Sequence, residues 1–247
     1  MSTWVSIVSL AVTLIATSIS FVVLYNQHIE STKAQLRGIV QRLLELPVKQ
    51  AELSLKFKES DLGATVNGQI SREDNILAYE AANLADAVPN HVTASEYLTI
   101  AQALVNLSDL KLAEQFYFRA IEKSKTLSEQ LISRGMLAGY YMHYDKIELG
   151  RAQYEAMDIL LSDNSDAIVG YPTNFIHISR ATMYSNRVNA EADIGDCNQA
   201  ERMRSRMVSE LNTIDTSKAG WLAKSATRMR GDTSRTLWDL CQVIMIR

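Results

Sequence analysis

Cysteine is scarce in this sequence, since the 247 residues include only Cys197 and Cys241. A secreted scaffold whose short loops are held by several disulfides is thereby excluded. We expect two buried or half-buried thiols in a reducing compartment, because free cysteine packs as a small hydrophobic residue. A single disulfide between them is the alternative.

Proline and strand-like patterns are also scarce. Proline occurs only at positions 47, 89 and 172, and no segment sustains the alternation of apolar and polar residues that marks a strand. Hydrophobic residues make up 47% of the chain, which is enough to build a core. These features predict an all-α protein, with a helix that begins near Ser71 and ends before Pro89.

Concentrated positive charge and catalytic motifs are missing. The net charge is −3, and nucleic-acid binding needs clustered positive charge, so we expect no nucleic-acid partner. The four histidines have no His or Cys neighbour at metal-ligand spacing. The chain also has no phosphate-binding glycine loop, G-x-S-x-G or H-E-x-x-H. We therefore predict no catalytic residue, metal site or cofactor, and a protein that is not an enzyme.

The longest apolar run is "WVSIVSLAVTLIATSISFVVLY", residues 4–25, which has no charge, proline or glycine. As a helix it is about 33 Å long, close to the roughly 30 Å of a bilayer core. No basic residue precedes it and no small-residue cleavage site follows it, which favours a retained anchor over a signal peptide. We predict a single-pass membrane protein with residues 1–25 as the anchor in lipid. Four basic residues follow the run, so the positive-inside rule places the N-terminus outside and the helical domain in the cytoplasm.

Residues 26–60 keep a helical period and are predicted to form a stalk. A seam that is apolar except at Gln50 recurs there at spacings of three and four, the pattern of a coiled coil: Leu36, Ile39, Leu43, Leu46, Gln50, Leu53 and Phe57. Such a seam supports a homo-oligomer, but Pro47 predicts a kink or break. The alternative is a kinked amphipathic helix that packs on its own domain. The stretch "SDLGATVNGQIS", residues 60–71, is rich in Gly, Ser and Asn, and residues 61–70 are predicted to be a linker.

Residues 94–124, "ASEYLTIAQALVNLSDLKLAEQFYFRAIEKS", divide into two amphipathic helices across "NLSD". The predicted inner faces comprise Tyr97, Ile100, Ala101 and Leu104, then Ala113, Phe116, Tyr117, Ala120 and Ile121. The hairpin resembles the tetratricopeptide repeat, although Lys125 stands where the closing proline of that pattern belongs. The residues that match the pattern in register are Tyr97, Ile100, Ala101, Leu104, Ala113 and Tyr117. Two degraded units follow, with anchor alanines at Ala152 and Ala200, spaced more widely than the family's roughly 34 residues.

The resemblance implies that residues 71–247 form an α-solenoid of helix hairpins whose groove binds a protein or peptide. Residues 217–247 are predicted to be a pair of capping helices. The leading hypothesis is therefore a membrane-anchored scaffold or adaptor. A self-associating structural membrane protein and a membrane-bound enzyme or sensor with a site near His143 are the alternatives.

Two clusters are candidate partner-binding residues. One is the aromatic group around His143, which forms either a pocket on the groove or an aromatic core with a loop histidine: Tyr140, Tyr141, His143 and Tyr144. The other is Arg202 and Arg206, which share one helix face. They form either a docking site for an acidic peptide or an ordinary solvated face.

Overall fold

The computed structural model of the protein describes residues 2–57, 62–163, 165–214 and 220–245, with backbone alone for residues 2–19, 62, 64, 222 and 242–245. The described chain is all-α, as predicted, and contains no strand. Its α-helices in chain order are α1 (Ser2–Lys56), α2 (Leu62–Ala87), α3 (Ala94–Asn106), α4 (Leu110–Lys123), α5 (Leu127–His143), α6 (Ile147–Leu160), α7 (Thr173–Asp193), α8 (Cys197–Thr213) and α9 (Gly220–Met245). Two short 3-10 helices lie at Pro89–His91 and Asp166–Ile168.

The chain divides into two compact units, residues 1–120 and 121–247. In the first unit α1 packs against α2 and α3. In the second unit α5 pairs with α6 and α7 pairs with α8, while α9 packs on α7 and α8.

The structure contradicts the predicted membrane anchor in the first helix. No helix in the described part of the chain is both long and apolar enough to cross a membrane. The predicted single-pass anchor at residues 1–25, and with it the outside N-terminus and cytoplasmic domain, is therefore wrong. The apolar run is continuous with a charged amphipathic helix and does not end as a separate span. Residue 1 and the side chains of residues 2–19 lie outside the described residues.

At Pro47, α1 continues without interruption, so the predicted break is wrong and the kink stays a prediction. Pro47 is exposed, whereas Leu43 and Leu46 beside it are buried. The backbone donor that proline lacks is therefore on the solvent side of the helix, where its loss is tolerated more easily.

The apolar seam of α1 is largely used within the first unit. Leu36, Ile39, Leu43 and Leu46 are buried, whereas Gln50 is exposed and the rest of the seam is half-buried. Polar contacts fix the same packing, since Arg42 Nε lies 2.7 Å from Glu73 Oε1 and Gln35 donates to Glu80. The interpretation as an amphipathic helix on its own domain thus accounts for the seam, and self-association stays a prediction.

The predicted linker at residues 61–70 is helical from residue 62 onwards, and residue 61 lies outside the described residues. The helix expected to begin at Ser71 therefore begins earlier, and the Ser71 hydroxyl donates to the carbonyl of Asn67. Its end before Pro89 is as predicted, because α2 stops at Ala87.

The hairpin predicted over residues 94–124 is present as α3 and α4. The predicted inner faces are buried, with Ile121 half-buried at the end of the second helix. The rings of Tyr97 and Phe116 meet edge to face with their centroids 5.7 Å apart. Thr93 begins α3 with a capping box, in which Glu96 Oε2 accepts from the Thr93 amide at 2.7 Å.

Three hairpins of the described chain, α3–α4, α5–α6 and α7–α8, share one local turn. Each has a residue with positive φ after its first helix: Ser108 at 61°, Asp145 at 59° and Gly195 at 82°. The next amide donates to the carbonyl five residues earlier, in the pairs Asp109–Leu104 (3.1 Å), Lys146–Tyr141 (2.8 Å) and Asp196–Glu191 (2.9 Å). This pattern satisfies carbonyls that a helix C-terminus leaves without partners.

A small buried residue stands at the same distance after each turn. These residues are Ala113, Gly150 and Ala200. The predicted anchor Ala152 is therefore wrong, because Ala152 is exposed and Gly150 occupies the position of close helix approach. A Cβ on Gly150 would overlap Cγ of Met142, so only glycine fits without a shift of its neighbours.

The last helix is one element, and the predicted capping pair at 217–247 is wrong. α9 runs from Gly220 to Met245, with residues 217–219 and 246–247 outside the described residues. Cys241 on α9 forms a disulfide with Cys197 at the start of α8, with the two Cα atoms 5.6 Å apart. The prediction of two free thiols is therefore wrong, and it no longer supports a reducing compartment.

We predict that removal of this disulfide destabilises the second unit. It closes a loop of 44 residues, for which the loss of unfolded-state entropy corresponds to about 4 kcal/mol. The variant Cys197→Ser/Cys241→Ser should have a correspondingly lower free energy of unfolding in urea, followed by circular dichroism.

The natural chain treated with dithiothreitol is the matched control. Its stability should fall to that of the double variant, whose own stability the reductant should leave unchanged. Uptake of two alkyl groups by the denatured, unreduced chain contradicts the disulfide.

Candidate functional site

The relative directions of α5, α6 and α7 define the site in the second unit. Arg151 near the start of α6 binds Glu191 near the end of α7. At the opposite end, Arg180 in α7 donates to the carbonyl of Leu161 just after α6. α6 is thus antiparallel to α7, and since a short turn makes α5 antiparallel to α6, α5 and α7 run in the same direction.

A groove of about 880 Å³ lies between α5 and α7. Residues three and four apart on both helices line it, the spacing of one helix face. Gly135 and Gly139 leave the groove side of α5 without side chains at these positions. No neighbouring atom lies within 4 Å of where a Gly139 Cβ would be. The volume lies in the upper part of the roughly 300–1,000 Å³ that is usual for ligand sites.

One end of the groove is apolar. Leu131 and Ile132 of α5 face Phe175 and Ile178 near the start of α7, and Ile132 is 54% exposed. The ring of Tyr171 stacks on that of Phe175 with centroids 4.9 Å apart, which holds this wall in place. The floor contains methionines, whose flexible thioethers adapt to different ligand shapes: Met136, Met142, Met157 and Met183.

The other end is polar and negatively charged. His143 is the last residue of α5 and Asp145 follows in the turn, while Asn186, Asn189 and Asp193 stand on α7. The lining includes these two carboxylates and no Lys or Arg. Because a helix C-terminus carries partial negative charge, the ends of α5 and α7 add to the same potential.

Of the predicted aromatic cluster, the structure places His143 in the groove lining and its neighbours elsewhere. Tyr140 and Tyr141 are buried with centroids 5.5 Å apart, and Lys146 Nζ lies 5.4 Å from the Tyr141 centroid. The ring of Tyr144 packs edge to face on His143 at 4.8 Å. The tyrosines thus form the aromatic core of the alternative interpretation, and the histidine is exposed.

The predicted arginine pair lies on α8, away from the groove lining. Arg202 is exposed, and Arg206 Cζ lies 5.9 Å from the ring centroid of Tyr184. Their role in binding an acidic peptide stays a prediction.

Behind the polar end lies a buried ion cluster centred on Glu191, whose side chain is fully buried. Arg151 donates to both of its carboxylate oxygens, at 3.0 and 2.6 Å, and Arg187 Nε lies 3.3 Å from Oε1. Arg151 also binds Asp196, the N-cap of α8, at 2.7 Å. The bond to Glu191 holds the pKa of the Arg151 guanidinium above its ordinary value.

The same cluster supports a wall of the groove. Arg187 Cζ lies 5.9 Å from the ring centroid of Tyr154, which lines the groove. Burial raises the pKa of Tyr154 to about 12, so its hydroxyl stays protonated at neutral pH. The wall is therefore a neutral ring backed by an ion pair, with no base available at that hydroxyl.

A second polar cluster fixes the opposite end of α7. His177 Nδ1 lies 2.6 Å from Glu210 Oε2 on α8, and Arg180 binds the other oxygen of Glu210 at 3.3 Å. Tyr184 donates to Asp158 of α6 at 3.0 Å. Polar pairs thus tie both ends of α7 to its neighbours.

Sequence reasoning missed the role of Arg187 and Glu191. Counted from the shared turn, they stand where the α3–α4 hairpin has Ile100 and Leu104, so they looked like departures from an apolar pattern. The sequence nevertheless contained an indication of this role, because two opposite charges four residues apart at core positions indicate a buried pair. Their third partner, Arg151, was not recognisable from spacing.

Metal chemistry finds no support in the described residues, where no group of three or more His, Cys, Asp or Glu side chains is placed to hold a metal ion.

We predict that Glu191→Ala destabilises the second unit by about 3–5 kcal/mol, because it leaves the buried Arg187 without its carboxylate, whereas the half-buried Arg151 keeps Asp196. The triple variant Arg151→Met/Arg187→Ile/Glu191→Leu, which gives α7 the apolar residues of α3, should stay within about 2 kcal/mol of the natural chain or exceed it. Urea unfolding measures both.

Glu201→Ala is the matched control, since Glu201 pairs with Arg204 on the exposed face of α8 at 2.8 Å. It should cost no more than about 1 kcal/mol. An equal cost for the two glutamates would show that the buried cluster has no special role.

No known family model, curated protein or solved structure matches this chain.

Proposed function

We propose that the chain is a helical-repeat protein of tetratricopeptide-like design that binds a segment of another protein in the α5–α7 groove, without catalysis. The observation that carries this proposal is the groove itself, which combines an exposed apolar end with a polar end on two parallel helices. The turn shared by three hairpins of the described chain supports the repeat design.

The side chains of the groove suit a polypeptide ligand. Asn186 and Asn189 are exposed on α7, and each amide offers two donors and an acceptor. Neither amide hydrogen-bonds within the described part of the chain. A peptide backbone presents N–H and C=O groups that match such amides, while its side chains can enter the apolar end.

The structure favours an extended segment over a helical one. A helix has already paired its backbone donors and acceptors, so it would leave Asn186 and Asn189 without a backbone ligand. An extended segment keeps those groups free for recognition.

We expect the variant Gly139→Leu to abolish peptide binding without loss of stability. The leucine side chain would enter the open space of the groove, and leucine has a higher helix propensity than glycine. The measurement is enrichment of a random displayed octapeptide library on the natural chain compared with the variant, with an expected difference of at least about tenfold.

Gly68→Leu is the matched control, because Gly68 also lies within a helix, is exposed, and like Gly139 has no atom near its Cβ position. It should enrich the library as the natural chain does. Equal enrichment on the natural chain and on Gly139→Leu would overturn the proposal.

A further inference from the structure

On the basis of the proposed function, we infer that the bound segment is basic as well as apolar, with a Lys or Arg for the polar end of the groove and a large apolar side chain for the other end. The occupant is an extended segment of a partner protein.

The charge of the lining carries this inference. Asp145 and Asp193 face the groove, no Lys or Arg lines it, and no ion pair joins either carboxylate to another described residue. The arginines nearest in sequence are engaged elsewhere, since Arg151 and Arg187 bind Glu191. A cation of the ligand therefore meets two carboxylates in a lining that contains no Lys or Arg.

The length of the groove sets the spacing of the two anchors. Ile132 and His143 stand eleven residues apart on α5, which corresponds to about 16 Å along the helix. An extended chain covers about 3.3 Å per residue, so the apolar and basic residues should be about five positions apart. A helical ligand would need about eleven positions for the same distance.

The two ends have different tasks. The apolar end contributes affinity through burial, and its methionines allow several large side chains to fit. The carboxylates select against acidic segments, because like charges in an interface are strongly unfavourable. The groove therefore accepts several apolar side chains at one end of the peptide but selects for positive charge at the other.

The test uses peptides recovered from the displayed library on the natural full-length chain. We expect Lys or Arg to be enriched about five positions from a Leu, Met, Ile or Phe. Replacement of that basic residue by Glu should weaken binding at least about tenfold, as measured by fluorescence anisotropy with labelled peptides at low salt.

The variant Asp145→Asn/Asp193→Asn should remove most of the difference between the Lys and Glu peptides. Asparagine suits position 145, because it tolerates the positive φ found there. Asp163→Asn/Asp239→Asn is the matched control, since both residues are exposed outside the groove lining and the net charge changes equally. It should keep the preference.

The possible failures are distinguishable. Peptides that bind in the groove without a preference for basic residues, or with a preference for acidic ones, overturn this inference and leave the proposed function intact. Failure of the library to enrich on the natural chain above Gly139→Leu overturns both.

Discussion

The second unit depends on the buried carboxylate of Glu191. Its two oxygens are bound by Arg151 of α6, and Arg187 of its own helix approaches one of them. Arg151 also binds Asp196 at the N-terminus of α8. Arg151 therefore joins three helices through Glu191 and Asp196, and these contacts fix the end of α7 that contributes the polar half of the groove. Such a pair is costly to break and adds little net stability over apolar packing, so its main effect is to specify how the helices meet.

The groove follows from this arrangement and from small residues. Gly150 lets α6 lie directly against α5, while Gly139 leaves open space on the groove side of α5. The parallel course of α5 and α7 brings two helix C-termini, Asp145 and Asp193 to one end and apolar side chains to the other. The position of the negative charge at one end of the groove is thus a direct consequence of hairpin geometry.

Sequence reasoning succeeded where local patterns decide the structure. The α3–α4 hairpin was predicted with its buried faces, because small and aromatic residues recur there at helical spacing. It failed where distant residues decide: the Cys197–Cys241 disulfide joins residues 44 apart, and the partners of Glu191 come from two helices. It also failed where glycine stands in place of the expected alanine. Ala152 has the residue type of the tetratricopeptide pattern, but Gly150 occupies the position of close helix approach. The capping box of Thr126 and Glu129, which begins α5, was readable in the sequence and was overlooked.

The central claim is that the α5–α7 groove binds a peptide segment, and methionine methyl NMR tests it most directly. Met136, Met142, Met157 and Met183 line the groove, whereas Met203, Met207 and Met229 belong to the same unit outside that lining. On addition of a library-selected peptide, we predict shifts of the methyl signals of the groove methionines and unchanged signals for Met203, Met207 and Met229. Shifts confined to the second set, or no shift during saturating binding, would contradict the account.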